Sequence, residues 1–258
     1  MMRNSTIAKI CILIGFVFGI FLLAKMGLFA PSEIVPAFSR LGQFLRELFP
    51  PRFDILPSLL PAIGETIQMS LAGTMLGFLI SLPLAFFGTK TLFGSTVTWC
   101  ARTVIGMIRT IPSILFGVIF VIAFGLGATA GTIGIAFYTV GYLAKLFYEA
   151  FEAVDREVIE AVRSTHCTRL QLMRFAIIPE TVNTVISQVL FMFEYNIRSS
   201  TIMGFVGAGG IGYYMLGYIQ MLQYQHLMTA LLATFFVVMI IDCLSLKLRS
   251  MLVVAVKM

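Results

Sequence analysis

The feature that most constrains this chain is its succession of apolar runs, each nearly free of charge and close to bilayer length. They fall at 7–23, 62–87, 104–124, 132–148, 181–205 and 227–246. A helix needs about 20 mostly apolar residues to cross the hydrocarbon core. Inside that core the backbone polar groups have no water to bond, so only a helix or a closed barrel can span it. Barrel strands alternate apolar and polar residues, and these runs do not alternate. Composition agrees, with 59% of the 258 residues hydrophobic and 12% charged, about half the charge of an average soluble domain. An ordinary soluble enzyme, a disordered chain and a disulfide-stapled secreted domain are excluded. The expectation is an all-α membrane protein with about six transmembrane helices.

The few charges are unevenly placed. With the N-terminus inside, one side of the membrane receives Arg3, Lys9, Lys90, Arg102, Lys145, Arg156, Arg163, Arg169, Arg174, Lys247, Arg249 and Lys257. The other side receives Lys25, Arg40, Arg46 and Arg52. Basic residues collect on the cytoplasmic side, so a multi-pass chain with both termini cytoplasmic is expected. The net charge of +6 then reflects topology and does not indicate nucleic-acid binding. Cys11, Cys100, Cys167 and Cys243 have no metal-site spacing and read as unpaired structural thiols. The first run ends at Ala24-Lys25-Met26 without a small-x-small cleavage site, which favours a retained anchor helix over a cleaved signal.

Two parts are expected along the chain. Residues 1–61 hold the anchor helix and a proline-rich segment that is periplasmic or interfacial. Its stretch 36–49 carries Phe38, Leu41, Leu45 and Leu48 at helical spacing. Residues 62–258 form the core, with Arg109 and Pro112 opening the third span and Glu65 and Thr66 at the outer end of the second.

Residues 149–180 are the most informative. Glu149, Glu152, Asp155, Glu157 and Glu160 are five of the chain's twelve acids. Phe147, Phe151, Val154, Val158 and Ala161 recur every three to four positions, which predicts an amphipathic helix leaving the fourth span. Ser164, Thr165, His166 and Cys167 read as a turn, and Leu170, Met173 and Ile177 as a second short stripe. Pro179 stands where a new helix begins. Two short helices held under the membrane make a docking surface for a soluble partner.

These residues resemble the cytoplasmic signature of ATP-binding-cassette importer permeases, written EAA, three residues, Gly, nine residues, Ile-x-Leu-Pro. Glu160-Ala161-Val162 is followed by Ile177-Ile178-Pro179, with nineteen steps from Glu160 to Pro179 as in the family. The family's glycine position is His166 here, and His enters positive φ less readily than Gly, so a turn different in detail is expected. The resemblance implies a type I importer permease (MetI-like) architecture with a cytoplasmic coupling helix. It implies that Glu160, Ala161, Val162, Arg163, His166 and Pro179 serve coupling to an ATPase. A second stretch, Phe193-Glu194-Tyr195-Asn196-Ile197-Arg198-Ser199-Ser200-Thr201, leads into Gly204-Phe205-Val206-Gly207-Ala208-Gly209-Gly210-Ile211-Gly212. Its ending resembles importers of methionine, glycine betaine and phosphonates, and its beginning resembles the phosphonate-type permease. That family implies a second permease copy, identical or related, with an ATPase dimer and a periplasmic or lipid-anchored substrate-binding protein. It implies a bacterial inner-membrane location. ATP and magnesium would sit on the partner ATPase and no cofactor on this chain.

Read from the residues alone, Glu194 and Arg198 are four apart and share a helix face. Ionisable groups within a membrane are paired or functional. One reading is an ion pair that fixes the fifth span against a neighbour. The other is that Arg198 lines an anion path with Glu194 setting its rotamer. Candidate path or gate residues are Glu194, Asn196, Arg198, Ser199, Thr201, Gly207, Gly209, Gly210 and Gly212. The glycines also fit G-x-G-x-x-G, but that pattern signals a nucleotide only after a strand in a soluble βαβ unit. Here a tight turn and close helix approach are expected, with a row of free amides open to a passing anion as the further possibility. No metal cluster, catalytic constellation or Walker motif stands in the sequence. The expected function is the permease subunit of an ATP-driven importer for phosphonate, phosphite or phosphate, using alternating access. The alternatives are a methionine or glycine betaine importer, and a secondary transporter, which would bring inverted repeats.

Overall fold

The computed structural model describes residues 2–25, 27 and 31–255. They divide into two units, Met1–Pro51 and Arg52–Met258. The first holds α1 (Met2–Lys25) and α2 (Pro31–Glu47). The first expected span lies on α1, whose apolar stretch Ile12–Lys25 exposes Ile12, Phe16 and Phe21. Cys11 lies outside the described side chains. The amphipathic helix expected over 36–49 starts earlier, at Pro31, because proline is tolerated in a first turn, where its missing N–H would be unpaired anyway.

Among its described residues the second unit consists of helices and the connections between them, with no strand. It contains α3 (Leu56–Gly88), α4 (Ser95–Thr110), α5 (Ser113–Phe124), α6 (Ala128–Glu152) and α7 (Arg156–Arg163). These are followed by α8 (Arg169–Leu172), a π-turn (Met173–Ile177), α9 (Ile178–Gly204), α10 (Gly210–Gln220) and α11 (Tyr224–Ala255). Among the described residues four helices are long and apolar enough to cross a membrane, and α4 with α5 makes a fifth if the bent pair counts as one span. The helix α6 is central, with 67% of its apolar window buried against 17% for α11. It packs most extensively on α3, and also on α5, α9 and α4. Small residues bring α3 and α6 together. A Cβ on Gly77 would lie 2.6 Å from Thr139 Cβ and one on Gly73 2.6 Å from Ile135 Cγ2. Lipid tails are as apolar as leucine, so membrane helices gain mainly from such close backbone approach.

Three boundaries differ from expectation. The third span is not continuous, because α4 and α5 meet at 85°. Pro112 restricts the residue before it to extended backbone, and Ile111 sits at φ −85°, ψ 121°. The helix leaving the fourth span stops at Glu152, and α7 starts anew after Asp155, which is extended at φ −55°, ψ 135°. Asp is poor inside a helix and favoured just before one. Finally, Pro179 stands in the first turn of α9, as expected, but α9 does not start from a loop: the helical path runs unbroken from Arg169, where Thr168 and Gln171 form a reciprocal capping box. The π-turn absorbs the proline. Ile178 N–H bonds Met173 O, five residues back, which widens the turn where the ring of Pro179 would otherwise meet the carbonyl of residue 175.

Candidate functional site: a docking helix, crossed ion pairs and a glycine elbow

The segment 149–180 is anchored from within. Phe147, Phe151, Ile159, Leu172, Met173, Ala176 and Ile177 belong to one buried cluster, with Val154, Val158, Val162 and Cys167 against it. Most of the apolar stripe read from sequence therefore faces the core even though two helices carry it, while Ala161 and, on α8, Leu170 are exposed. Glu157, Glu160, Ala161 and Arg163 face outward on α7, and Pro179 is also exposed. A cavity of about 380 Å³ beside α7 is lined by Lys90, Thr91, Glu152, Arg156, Glu160 and Arg163. His166 follows α7 at φ 57°. The position that matches the signature's glycine is thus a histidine in the left-handed region, where non-glycine residues pay about 1–2 kcal/mol.

The ion pair expected between Glu194 and Arg198 is not formed. Arg198 Nη2 donates to Asp242 Oδ2 at 2.6 Å, and Glu194 Oε1 accepts from Arg249 Nη2. Both partners lie on α11, so two parallel pairs join α9 to α11. Charges four residues apart on one helix compete poorly with opposite charges supplied face-on by a neighbour, since the i,i+4 pair is worth only a few tenths of a kcal/mol. The side chains of Glu194 and Arg249 are 12% and 26% exposed, whereas those of Arg198 and Asp242 are 48% and 36%. One pair is a brace, and the other presents a cation on an open face. Tyr195 and Ile202 are exposed on the same helix.

Asn196 and Ser199 face the opposite way. Asn196 is fully buried, and its Nδ2 donates to Thr74 Oγ1 and Thr139 Oγ1, both at 2.8 Å. This tripod ties α9 to α3 and α6. Ser200 and Ser70 meet at 3.2 Å beside it. Asn196 Oδ1 and Ser199 Oγ have no partner. Thr201 bonds back to Ile197 O at 3.3 Å. The sequence carried a signal for this polar stripe in Thr66, Ser70 and Thr74, which recur every four residues on the buried face of α3. Sequence reasoning missed it.

The glycine stretch forms an elbow between α9 and α10. Gly207, Gly209 and Gly210 have φ of 88°, 85° and 70°. A Cβ on Gly212 would lie 1.9 Å from Thr201 O, so the expected tight turn and close approach are both present. Four of the amides along it are already bonded. Gly207 N–H bonds Gly204 O, and Ala208 N–H bonds Met203 O. Gly210 N–H donates to Glu65 Oε2 at 3.1 Å and Ile211 N–H to Thr66 Oγ1 at 2.9 Å. Two adjacent α3 side chains thus cap α10, satisfying donors that a helix start leaves open. On α10 burial, and then the neighbouring Tyr214, raises the Tyr218 phenol above its ordinary value, so that residue stays neutral. Arg109 stacks 4.9 Å over Tyr142. Among the described residues no group of His, Cys, Asp and Glu is placed to hold a metal.

Comparison with known proteins matches these features to one family. Residues 73–252 match the model described as "Binding-protein-dependent transport system inner membrane component". The chain is 34% identical over 240 residues to the phosphite transport system permease protein PtxC of Stutzerimonas stutzeri, covering 92% of this chain and 87% of that one. It is 33% identical over 244 residues to the phosphate-import permease protein PhnE of Mycolicibacterium smegmatis, covering 94% of this chain and 45% of that one. Among solved structures, the MetNI methionine ABC transporter in inward-facing conformations superposes with a TM-score of 0.69 at 20% identity, over 78% of this chain and 99% of that one. The fold and the matched length agree, and the chain belongs to the binding-protein-dependent transport system inner membrane components, the permease subunits of ATP-binding-cassette importers.

Proposed function

We propose that this permease provides the membrane path for a phosphorus oxyanion, namely phosphonate, phosphite or phosphate. The observation that carries this reading is Arg198. Its partner Asp242 lies inside the apolar run 227–246, about 22 Å from its start and about 6 Å from its end at 1.5 Å per residue. A guanidinium half exposed at that depth is costly against lipid, and is accommodated where the open face of α9 borders a water-filled path. Asp242 holds it in place and partly neutralises it, which suits a site that must release what it binds. Named relatives that carry phosphite and phosphate support the substrate class.

In this reading the α7 end of the bundle is cytoplasmic, and both termini lie on that side. The exposed face of α7, with Glu160, Ala161 and Arg163, docks on an ATPase subunit, with Val162 packed beneath it and the strained His166 turn and Pro179 setting its pose. ATP and magnesium belong to that subunit. A loaded substrate-binding protein docks at the opposite end, where the Gly207, Gly209, Gly210 and Gly212 elbow is clasped by Glu65 and Thr66. A second permease copy completes the path. ATP favours one of two arrangements of the bundle by binding it more tightly, which is all that any ligand can do to a conformational equilibrium. The test is uptake by proteoliposomes holding the permease, its ATPase and its binding protein, with phosphonate, phosphite and phosphate offered in parallel. ATP-dependent uptake of one of them is expected. Uptake of methionine or glycine betaine in their place overturns the substrate class.

A further inference from the structure

The α7 helix is joined covalently to only two membrane helices, to α6 through residues 153–155 and to α9 through α8. Displacement of α7 reaches α3 and α4 by other means. The loop between those two helices, residues 89–94, and the end of α3 before it are held by four elements. From α4, Arg102 Nε donates to Gly88 O at 2.9 Å, at the end of α3. Its Nη2 donates to Glu152 Oε1, the last residue of α6, at 2.5 Å. The same Oε1 accepts from Lys90 N–H at 2.6 Å, and the guanidinium lies 4.2 Å over the Tyr148 ring. From α7, Arg163 Nη2 donates to Thr91 O at 2.9 Å. From α8, Arg169 stacks 4.9 Å over Phe93. Leu92, in the middle of the loop, is buried in the same cluster as Ile159 of α7.

We propose that Arg102 and Glu152 are positioning residues for coupling. They lock the α3–α4 loop onto the coupling segment, so that α7, α3 and α4 move as one body with α6. Apolar packing alone is non-directional and lets helices slide. A guanidinium fork held at two acceptors and a ring fixes direction as well as distance. The Arg102 and Glu152 side chains are 24% and 26% exposed, so water screens the pair less than a surface one. The loop then delivers motion from the docking helix to α3, whose far end carries the Glu65 and Thr66 clasp on α10. One rigid connection thus runs from the docking helix to the elbow.

This rests on the reading that α7 docks an ATPase. The experiment uses the whole complex in proteoliposomes and measures two quantities together, the hydrolysis stimulated by binding protein and the substrate taken up per ATP. Wild-type uptake without ATP would overturn the reading of function and not the present inference. Arg102→Ala and Glu152→Gln are expected to keep the ATPase subunit bound and hydrolysis within about twofold of wild type. Uptake per ATP should fall about tenfold, the factor set by one charge-assisted hydrogen bond at the lower end of its range. Glu152→Gln keeps an acceptor for Lys90 N–H and is the milder change. Arg102→Lys keeps the charge without the fork and should fall in between. A merely structural role lowers complex yield, hydrolysis and uptake together and leaves uptake per ATP unchanged. That result, or unaltered uptake in all three variants, overturns the proposal.

Discussion

The tripod at Asn196 permits a sharp test of how the central helices are held. Thr139→Val is nearly isosteric and removes one of the two oxygens that Asn196 Nδ2 bonds at 2.8 Å. Asn196 is fully buried, so the abandoned N–H finds no water. Interhelical hydrogen bonds in membranes average about 0.6 kcal/mol and reach about 1.7, and Thr139→Val should cost that much. Asn196→Leu behaves differently. It forfeits both bonds, about 1.2 kcal/mol at the average value. It also removes Oδ1, which is buried without a partner and whose desolvation costs about 1–3 kcal/mol. The two terms oppose, and the net change should be small. In the Asn196→Leu background Thr139→Val should then be nearly silent, giving a coupling energy of about 0.6–1.7 kcal/mol. The assay is reversible unfolding of the purified permease in mixed micelles, followed by loss of helical circular dichroism. Additivity within about 0.3 kcal/mol, or a large loss from Asn196→Leu alone, refutes the tripod.

His166→Gly relieves the left-handed strain at φ 57° and should stabilise the α7–α8 turn by about 1 kcal/mol, read as slower hydrogen exchange over 160–170. Gly212→Ala places a Cβ 1.9 Å from a backbone oxygen of α9 and should sharply reduce folded yield, whereas Gly217→Ala, with open space around it, should not. Arg198→Ala should abolish uptake with the complex still assembled. Pairing Arg198→Gln with Asp242→Asn removes both charges, and recovered uptake in that double variant would show that the arginine serves only as a brace.

The membrane class and the anchored amphipathic segment were legible because each is written in local pattern. Apolar run length dictates a span, and five acids over two apolar stripes dictate an exposed face on an anchored helix. The two short helices survived as a reading even though their boundaries shifted. Pairing choices were not legible. Glu194 and Arg198 are neighbours on one helix, yet each turns to α11, and which residue α11 presents depends on the crossing of two helices 44 to 55 positions apart. The glycine elbow was read as a tight turn, with open amides only as a further possibility. Two of those amides, at Gly210 and Ile211, are taken by Glu65 and Thr66, 145 residues away. The break at Pro112 was accessible, since the residue before a proline resists the helical region. The π-turn before Pro179 is a tertiary accommodation, three of whose own residues, Met173, Ala176 and Ile177, are buried.

The central claim is that this chain is the path through which an ATPase, by way of α7, drives a phosphorus oxyanion across a membrane. The most direct measurement is uptake of labelled phosphonate, phosphite and phosphate into proteoliposomes containing the permease, its ATPase and its binding protein, with and without ATP. The account predicts accumulation of at least one of these anions, dependent on ATP and binding protein and abolished by Arg198→Ala. Accumulation that proceeds without the ATPase, or that is confined to methionine or glycine betaine, would contradict it.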